Sequence, residues 1–169
     1  MRRGKQLIGL PVLDLATGRQ VSSVRSLLID PDGGQLVALV LQKTSLLAEA
    51  KVIRVSQVHA IGSDAVILEP GEEPGSLSDL LKEKPQAVGE ERIAGRPVLT
   101  ADGQMLGTLA DLTIAEDSGR ITQFVLSDGL IQDLIGGYST MPAPEQTVYG
   151  EEHIIVPEES NRPGDTPLY

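Results

Sequence analysis

Residues 7–41 of this chain, LIGLPVLDLATGRQVSSVRSLLIDPDGGQLVALVL, return at residues 93–126 as IAGRPVLTADGQMLGTLADLTIAEDSGRITQFVL. Gly9, Pro11, Val12 and Leu13 stand 86 positions before Gly95, Pro97, Val98 and Leu99. One extra residue in the first turn shifts the offset to 85, and from Gly18 and Gly103 onward the match has no gap. Val24, Leu27, Ile29, Leu36 and Leu39 answer Leu109, Leu112, Ile114, Ile121 and Phe124, and Gly34 answers Gly119. The closing segments, 64–70 and 152–157, match more loosely. A period this long exceeds any solenoid unit, so each copy is expected to be a small domain of its own.

The expected organisation is a first domain at 1–70, a linker with a short helix at 71–91, a second domain at 92–157 and a disordered tail at 158–169. Within each copy, short apolar strands alternate with turn signals. A short strand (11–14 or 97–100) precedes the turn dipeptide Thr17-Gly18 or Asp102-Gly103. A longer strand follows (20–29 or 104–114), then a hairpin turn at 30–34 or 116–119, then a returning apolar strand (35–42 or 120–127). Further strands are expected at 51–55, 57–61 and 65–69. Closure into a barrel would remove exposed edges from modules this small. Two segments read as helices. In the linker, Ser76 can cap residues 77–82, with Asp79 at the capping-box position and Pro85 as the stop. At 128–135, Leu130, Ile131, Leu134 and Ile135 recur at helical spacing; the counterpart in copy one is the shorter segment 45–50.

Composition narrows the function classes. Aromatic residues make up 2% of the chain, so the cores must be aliphatic and no platform exists for stacking bases. The net charge of −10 repels phosphate backbones and anionic lipid, which disfavours direct nucleic-acid binding. The chain has no cysteine, which excludes disulfides, thiolate chemistry and cysteine-ligated metal. The apolar run near the amino terminus is broken by Gly9, Pro11 and Asp14, too short for a signal peptide, and no stretch reaches the length of a membrane span. A cytoplasmic protein without membrane insertion is expected.

The spacing of Gly9-x-Pro-Val-Leu-Asp14, Thr17-Gly-Arg-Gln-Val21, Val24, 27–30 (Leu-Leu-Ile-Asp) and Gly34 before an apolar strand resembles the PRC-barrel module. Gly95-x-Pro-Val-Leu99, Asp102-Gly-Gln-Met-Leu-Gly107, Leu112, Ile114 and Gly119 resemble a second one. Ser22 departs from the glycine that Gly107 supplies at the same point. The resemblance implies a mainly β protein of two tandem small barrels, about six strands each. The family includes the cytoplasmic domain of the photosynthetic reaction-centre H subunit and the carboxy-terminal domain of a ribosome maturation factor, which contacts a ribosomal protein. It therefore implies assembly through protein contacts rather than a shared chemistry.

No residue pattern builds a catalytic or cofactor site. His59 and His153 do not occupy equivalent positions, and each reads as an ordinary strand or rim histidine. Asp30-Pro-Asp32-Gly33 is turn chemistry, since a calcium loop needs further ligands and a distal glutamate. Ser22, Ser23, Ser139 and Thr140 lack the setting of a nucleophile elbow. The glycine pairs lack a phosphate-loop pattern. The acidic pairs lie in linkers and ends, where charge is solvated. The candidate interaction patch is Leu130, Ile131, Leu134 and Ile135 with Tyr138: this segment either plugs a barrel or faces a partner chain.

The expected function is a non-enzymatic protein-interaction or assembly module, with no cofactor or metal, an unknown protein partner and a possible homodimer. The alternative is an accessory factor in RNA processing or ribosome assembly acting through a ribosomal protein. A small-ligand binder or enzyme using the cleft between barrels stands furthest from the residues.

Overall fold

The computed structural model describes residues 1–127 and 138–160. The helix expected at 128–135 and most of the tail lie outside the described residues.

Each copy forms a six-stranded curled sheet with the same order. In the first, the strands are β2 (Pro11–Asp14), β3 (Gln20–Asp30), β4 (Gln35–Leu41), β5 (Lys51–Arg54), β6 (Val58–Ile61) and β7 (Val66–Leu68), arranged β6-β7-β2-β3-β4-β5. A 3-10 turn over Val55–Gln57 carries the chain from β5 to β6. In the second, β10 (Pro97–Thr100), β11 (Met105–Ile114), β12 (Ile121–Ser127), β13 (Tyr138–Pro142), β14 (Val148–Tyr149) and β15 (Ile154–Val156) repeat the pattern. The loosely matched closing segments occupy the same place. Val66, Ile67 and Leu68 run parallel to Val12, Leu13 and Asp14, as Ile154, Ile155 and Val156 run parallel to Val98, Leu99 and Thr100.

The curl comes from bulges at matching positions. The register skips Val21 and Arg25 in β3 and Val37 in β4. It skips Leu106 and Ala110 in β11 and Thr122 in β12. An unpaired extra residue bends its strand and increases the twist, which lets a flat pairing pattern close on itself. At the first bend the copies differ. Gly107 has φ +149°, and a Cβ there would lie 3.0 Å from the Ser127 carbonyl oxygen, so glycine is required. In copy one, Ser22 fits by a different backbone, with its hydroxyl donating to the Gln42 carbonyl at 3.4 Å.

Two elements were not legible in the strand pattern. A two-residue strand, β1 (Arg2–Arg3), and a single helical turn, α1 (Gly4–Leu7), precede the first sheet. Their equivalents, β9 (Val88–Gly89) and α3 (Glu90–Ile93), fall in the segment expected to be linker. Neither lead-in strand pairs with its own module. Arg2 and Arg3 pair with Ile114 and Thr113 of β11, while Val88 and Gly89 pair with Ile29 and Leu28 of β3. The exchange is reciprocal, residue for residue.

The cores follow the same crossing. Leu27, Leu28 and Ile29 are consecutive and all buried, yet they enter three different clusters. Leu27 fills the first barrel with Val12, Val24, Leu39 and Ile53. Leu28 joins Ala38, Val40 and Val52 on the outer face. Ile29 enters the second barrel beside Ile93, Leu112 and Phe124. Ile114, its counterpart, enters the first. The hairpin tips complete the junction: the Leu36 N–H donates to the Gly119 carbonyl at 2.6 Å, and the Ile121 N–H to the Gly34 carbonyl at 2.9 Å.

The linker helix α2 (Leu77–Glu83) starts as expected, with the Ser76 hydroxyl accepting from the Asp79 N–H. Its Leu77 and Leu80, with Ala87, cover the outer face of the first sheet. The strand β8 (Gly75–Ser76) just before it pairs with β5. The segment 45–50 is a turn rather than a helix, with the Ala48 N–H donating to the Ser45 carbonyl at 3.1 Å.

Because each barrel holds an isoleucine from the other, the two modules should unfold together. Ile29→Ala and Ile114→Ala each remove a fully buried side chain, at a cost of about 2–5 kcal/mol. Urea unfolding followed by circular dichroism should show one transition, shifted to lower midpoint in both variants. Two separate transitions, with only one displaced, would show that the modules are energetically independent.

Candidate protein-interaction surfaces

Leu130, Ile131, Leu134 and Ile135 of the expected patch lie outside the described residues. Tyr138 opens β13 and is 56% exposed. It pairs with Ser127 across β12, and residues 139–142 continue that pairing with 123–126. The other flank of β13 differs from its counterpart in copy one. There, Lys51 and Val52 of β5 pair with Ser76 and Gly75 of β8. Among the described residues no strand stands in that place beside β13.

The outer faces also differ. Leu28, Ala38, Val40 and Val52, apolar and covered by the linker helix, correspond to Thr113, Gln123, Val125 and Thr140. The second face is the more polar of the two, and Thr113 and Val125 in it are buried.

At the junction between modules, the lead-in turns set two carboxylates close together. Asp111 accepts from the backbone N–H of Lys5 at 3.3 Å and from that of Leu112 at 2.8 Å. A Cβ on Gly4 would lie 3.0 Å from the Asp111 carboxylate and 3.1 Å from Leu27, which explains the glycine. Glu90 is the residue equivalent to Gly4, and the small Ser26 stands where Asp111 would be. Glu90 is 9% exposed. Its pKa is raised, first by burial, then by the neighbouring charges of Asp111 and Glu91, against a weaker pull from Lys5.

The cleft between barrels is modest. A cavity of about 240 Å³ runs between the Pro31, Asp32, Gly33, Gly34 turn and Arg120, Glu145 and Tyr149. Its one cation, Arg120, is paired with Glu145 at 2.9 Å. Tyr149 packs edge-on to Phe124 with ring centroids 6.1 Å apart, and burial pushes its hydroxyl up to about 12.

His59 Nδ1 lies 3.0 Å from Glu69 at an exposed rim, and His153 is exposed on the second module. Asp30 accepts from the N–H groups of Asp32 and Gly33, closing the hairpin turn. No group of three or more metal-ligating side chains occurs among the described residues. Nor is any helix among them long and apolar enough to cross a membrane.

The PRC-barrel domain description matches residues 1–75 and 88–160, most of the chain and both copies. The chain belongs to the PRC-barrel family. The second match begins at Val88, where β9 begins, so the lead-in strand and its turn are part of the module. The PRC-barrel is a non-catalytic protein-interaction fold. The chain is also 24% identical over 156 residues to the uncharacterized protein YrrD of Bacillus subtilis (strain 168), covering 92% of this chain and 87% of that protein.

Exposed apolar side chains elsewhere were less legible. Leu46 and Leu47 in the β4–β5 turn are 97% and 99% exposed, and Val148 in β14 is 60% exposed. The first pair lies in the segment 45–50, which reads from sequence as a short helical counterpart of 128–135. Val148 carried no sequence signal, because a two-residue strand is defined only by its pairing with Ile155.

The raised pKa of Glu90 couples its protonation to stability. A group whose folded pKa lies above its unfolded value contributes stability below the unfolded pKa and loses it as pH rises through the folded one. Glu90→Gln should therefore melt at higher temperature than the unsubstituted chain at neutral pH. The gap should close as pH falls through the raised pKa toward the ordinary glutamate range. Thermal unfolding across that range checks it, and a variant less stable at neutral pH would contradict the burial account.

Proposed function

We propose that this PRC-barrel chain is a non-enzymatic assembly module that docks a partner protein along the outer edge of β13. The observation that carries this reading is Tyr138, an exposed aromatic side chain at the start of β13. In the first module the equivalent strand, β5, takes a further strand on its outer edge, Gly75 and Ser76, which shows that this edge accepts an extended segment. A strand edge offers main-chain donors and acceptors to an extended segment of another chain. Tyr138 at its start adds an aromatic anchor of the kind that dominates interface energetics.

The packing at the junction supports interaction over ligand chemistry. The space between modules is taken by exchanged strands and isoleucines, and the remaining cleft is lined by a backbone turn and an ion pair. A small-molecule site would need convergent unpaired polar groups in an apolar pocket.

The test is quantitative affinity purification from the native cell with the full chain and with Tyr138→Asp. The side chain is exposed, so the variant should keep its melting temperature. Recovery of recurring partner chains should fall about tenfold or more, as expected for an aromatic anchor. If no chain recurs, or recovery is equal for both proteins, the β13 reading is wrong. Ribosomal proteins among the recurring chains would assign the assembly role to the ribosome.

A further inference from the structure

The linker helix covers only part of the outer face of the first sheet. Leu80 of α2 is buried on that face, whereas Leu81 stays 36% exposed. Between the helix and the lead-in strand β9 a hollow of about 280 Å³ remains. Leu28 and Val40 of the sheet, Leu77 and Leu81 of α2, and Ala87 and Val88 after it line this hollow. The volume lies just below the roughly 300–1,000 Å³ of ordinary ligand pockets, so an occupant must be small.

The charged side chains in the lining are Arg25, Arg92 and Glu91. Neither arginine makes an ion pair among the described residues, although acidic residues outnumber basic ones 24 to 14 in the chain. Glu91 lies over the backbone of Gly89, so close that a Cβ on Gly89 would collide with its carboxylate. Two cations therefore stand against one anion beside an aliphatic surface.

Both arginines occupy positions where the copies diverge. Arg25 is the residue that the register of β3 skips, and a bulge of this kind re-aims a side chain. Its counterpart in β11 is Ala110, which is skipped as well. Arg92 corresponds to Gln6, whose side chain closes its own lead-in turn by accepting from the Arg3 N–H at 3.1 Å. Arginine only donates and cannot replace that contact. Bulge and turn thus form in the second copy without either arginine, and the fold requires neither charge.

The lining also selects a chemistry. Guanidinium groups hold a carboxylate through charge-assisted, often bidentate hydrogen bonds. Apart from Ser26, the uncharged side chains around them are aliphatic. A peptide segment would bring amide groups that need hydrogen-bond partners there, and an unbranched alkyl chain brings none.

We infer that the hollow between α2 and β9 binds a small amphiphilic carboxylate, its head on Arg25 and Arg92 and its alkyl tail along Leu28, Val40 and Leu81. The site lies on the first module, apart from the β13 edge, and does not depend on that reading.

Calorimetric titration of the full chain with alkyl carboxylates, paired with amide NMR, tests it. Octanoate should bind saturably and shift the amide signals of Arg25, Leu28 and Val88. Affinity should rise about fourfold per methylene from butanoate through hexanoate to octanoate, as each methylene leaves water. Octanol and octylammonium keep the tail without the anion, and each should bind about tenfold or more weakly than octanoate. Arg25→Gln with Arg92→Gln should weaken octanoate by a similar factor, and Glu91→Gln should tighten it. All three side chains are exposed, so the variants should keep the circular dichroism spectrum of the unsubstituted chain. Octanoate that binds without saturation, octanol that binds as tightly, or a double-arginine variant with unchanged affinity overturns the inference. A peptide ending in a free leucine carboxylate that binds more tightly than octanoate also overturns it, in favour of a protein carboxy terminus as the occupant.

Discussion

Everything in this molecule hangs on the crossing of two long strands at the module junction. β3 and β11 each end by placing an isoleucine in the neighbouring barrel, and each receives a lead-in strand from that neighbour. A barrel of this size has little interior to bury, and small domains are marginal for that reason. Reciprocal exchange solves the problem for both copies at once. It fills each core with a side chain the module does not itself contain, and it pairs strand backbone that would otherwise face water. The cost is independence, since neither barrel is complete without the other.

The copies are alike where they meet and unlike where they face outward. The bulges, the parallel closing strand and the hairpin contact recur at matching positions. Away from the junction, the first module wears the linker helix over an apolar face, while the second has threonine and glutamine at the equivalent positions. Gly4 and Glu90 show the same divergence at the junction itself. One yields room to Asp111, and the other brings a second, poorly solvated carboxylate beside it. Duplicated structure with diverged surface is the arrangement expected of a scaffold: shared physics holds the shape, and the unshared residues are free to choose partners.

Much of the fold was legible because strand periodicity and turn chemistry are local. Pro11 to Asp14, the turn at Gly18, the long strand to Ile29 and the return after Gly34 all read directly from residue type. The capped linker helix did as well, since Ser76 and Asp79 sit at the spacing a cap needs. The lead-in turns were missed. Four residues such as Gly-Lys-Gln-Leu carry no periodic signal, and a two-residue strand is defined only by its partner. Of the candidate patch, Tyr138 was legible as an aromatic beside an apolar segment, but its place at the start of β13, opposite Ser127, was not. The exposed pair Leu46 and Leu47 lay in a segment read as a short helix that the structure shows as a turn.

The sequence alone determined the duplication, the family, the aliphatic cores and the absence of thiol chemistry, because each follows from residue identity and order along the chain. Which barrel Ile29 belongs to was decided only by tertiary structure. Alternation assigns a residue to a face of its own strand, and a bulge and a twist rotate that face until it points into the neighbouring module. The same holds for edges. Whether a strand's outer flank is paired depends on a segment arriving from elsewhere, as Gly75 and Ser76 do at β5, and that arrival is a property of the folded chain.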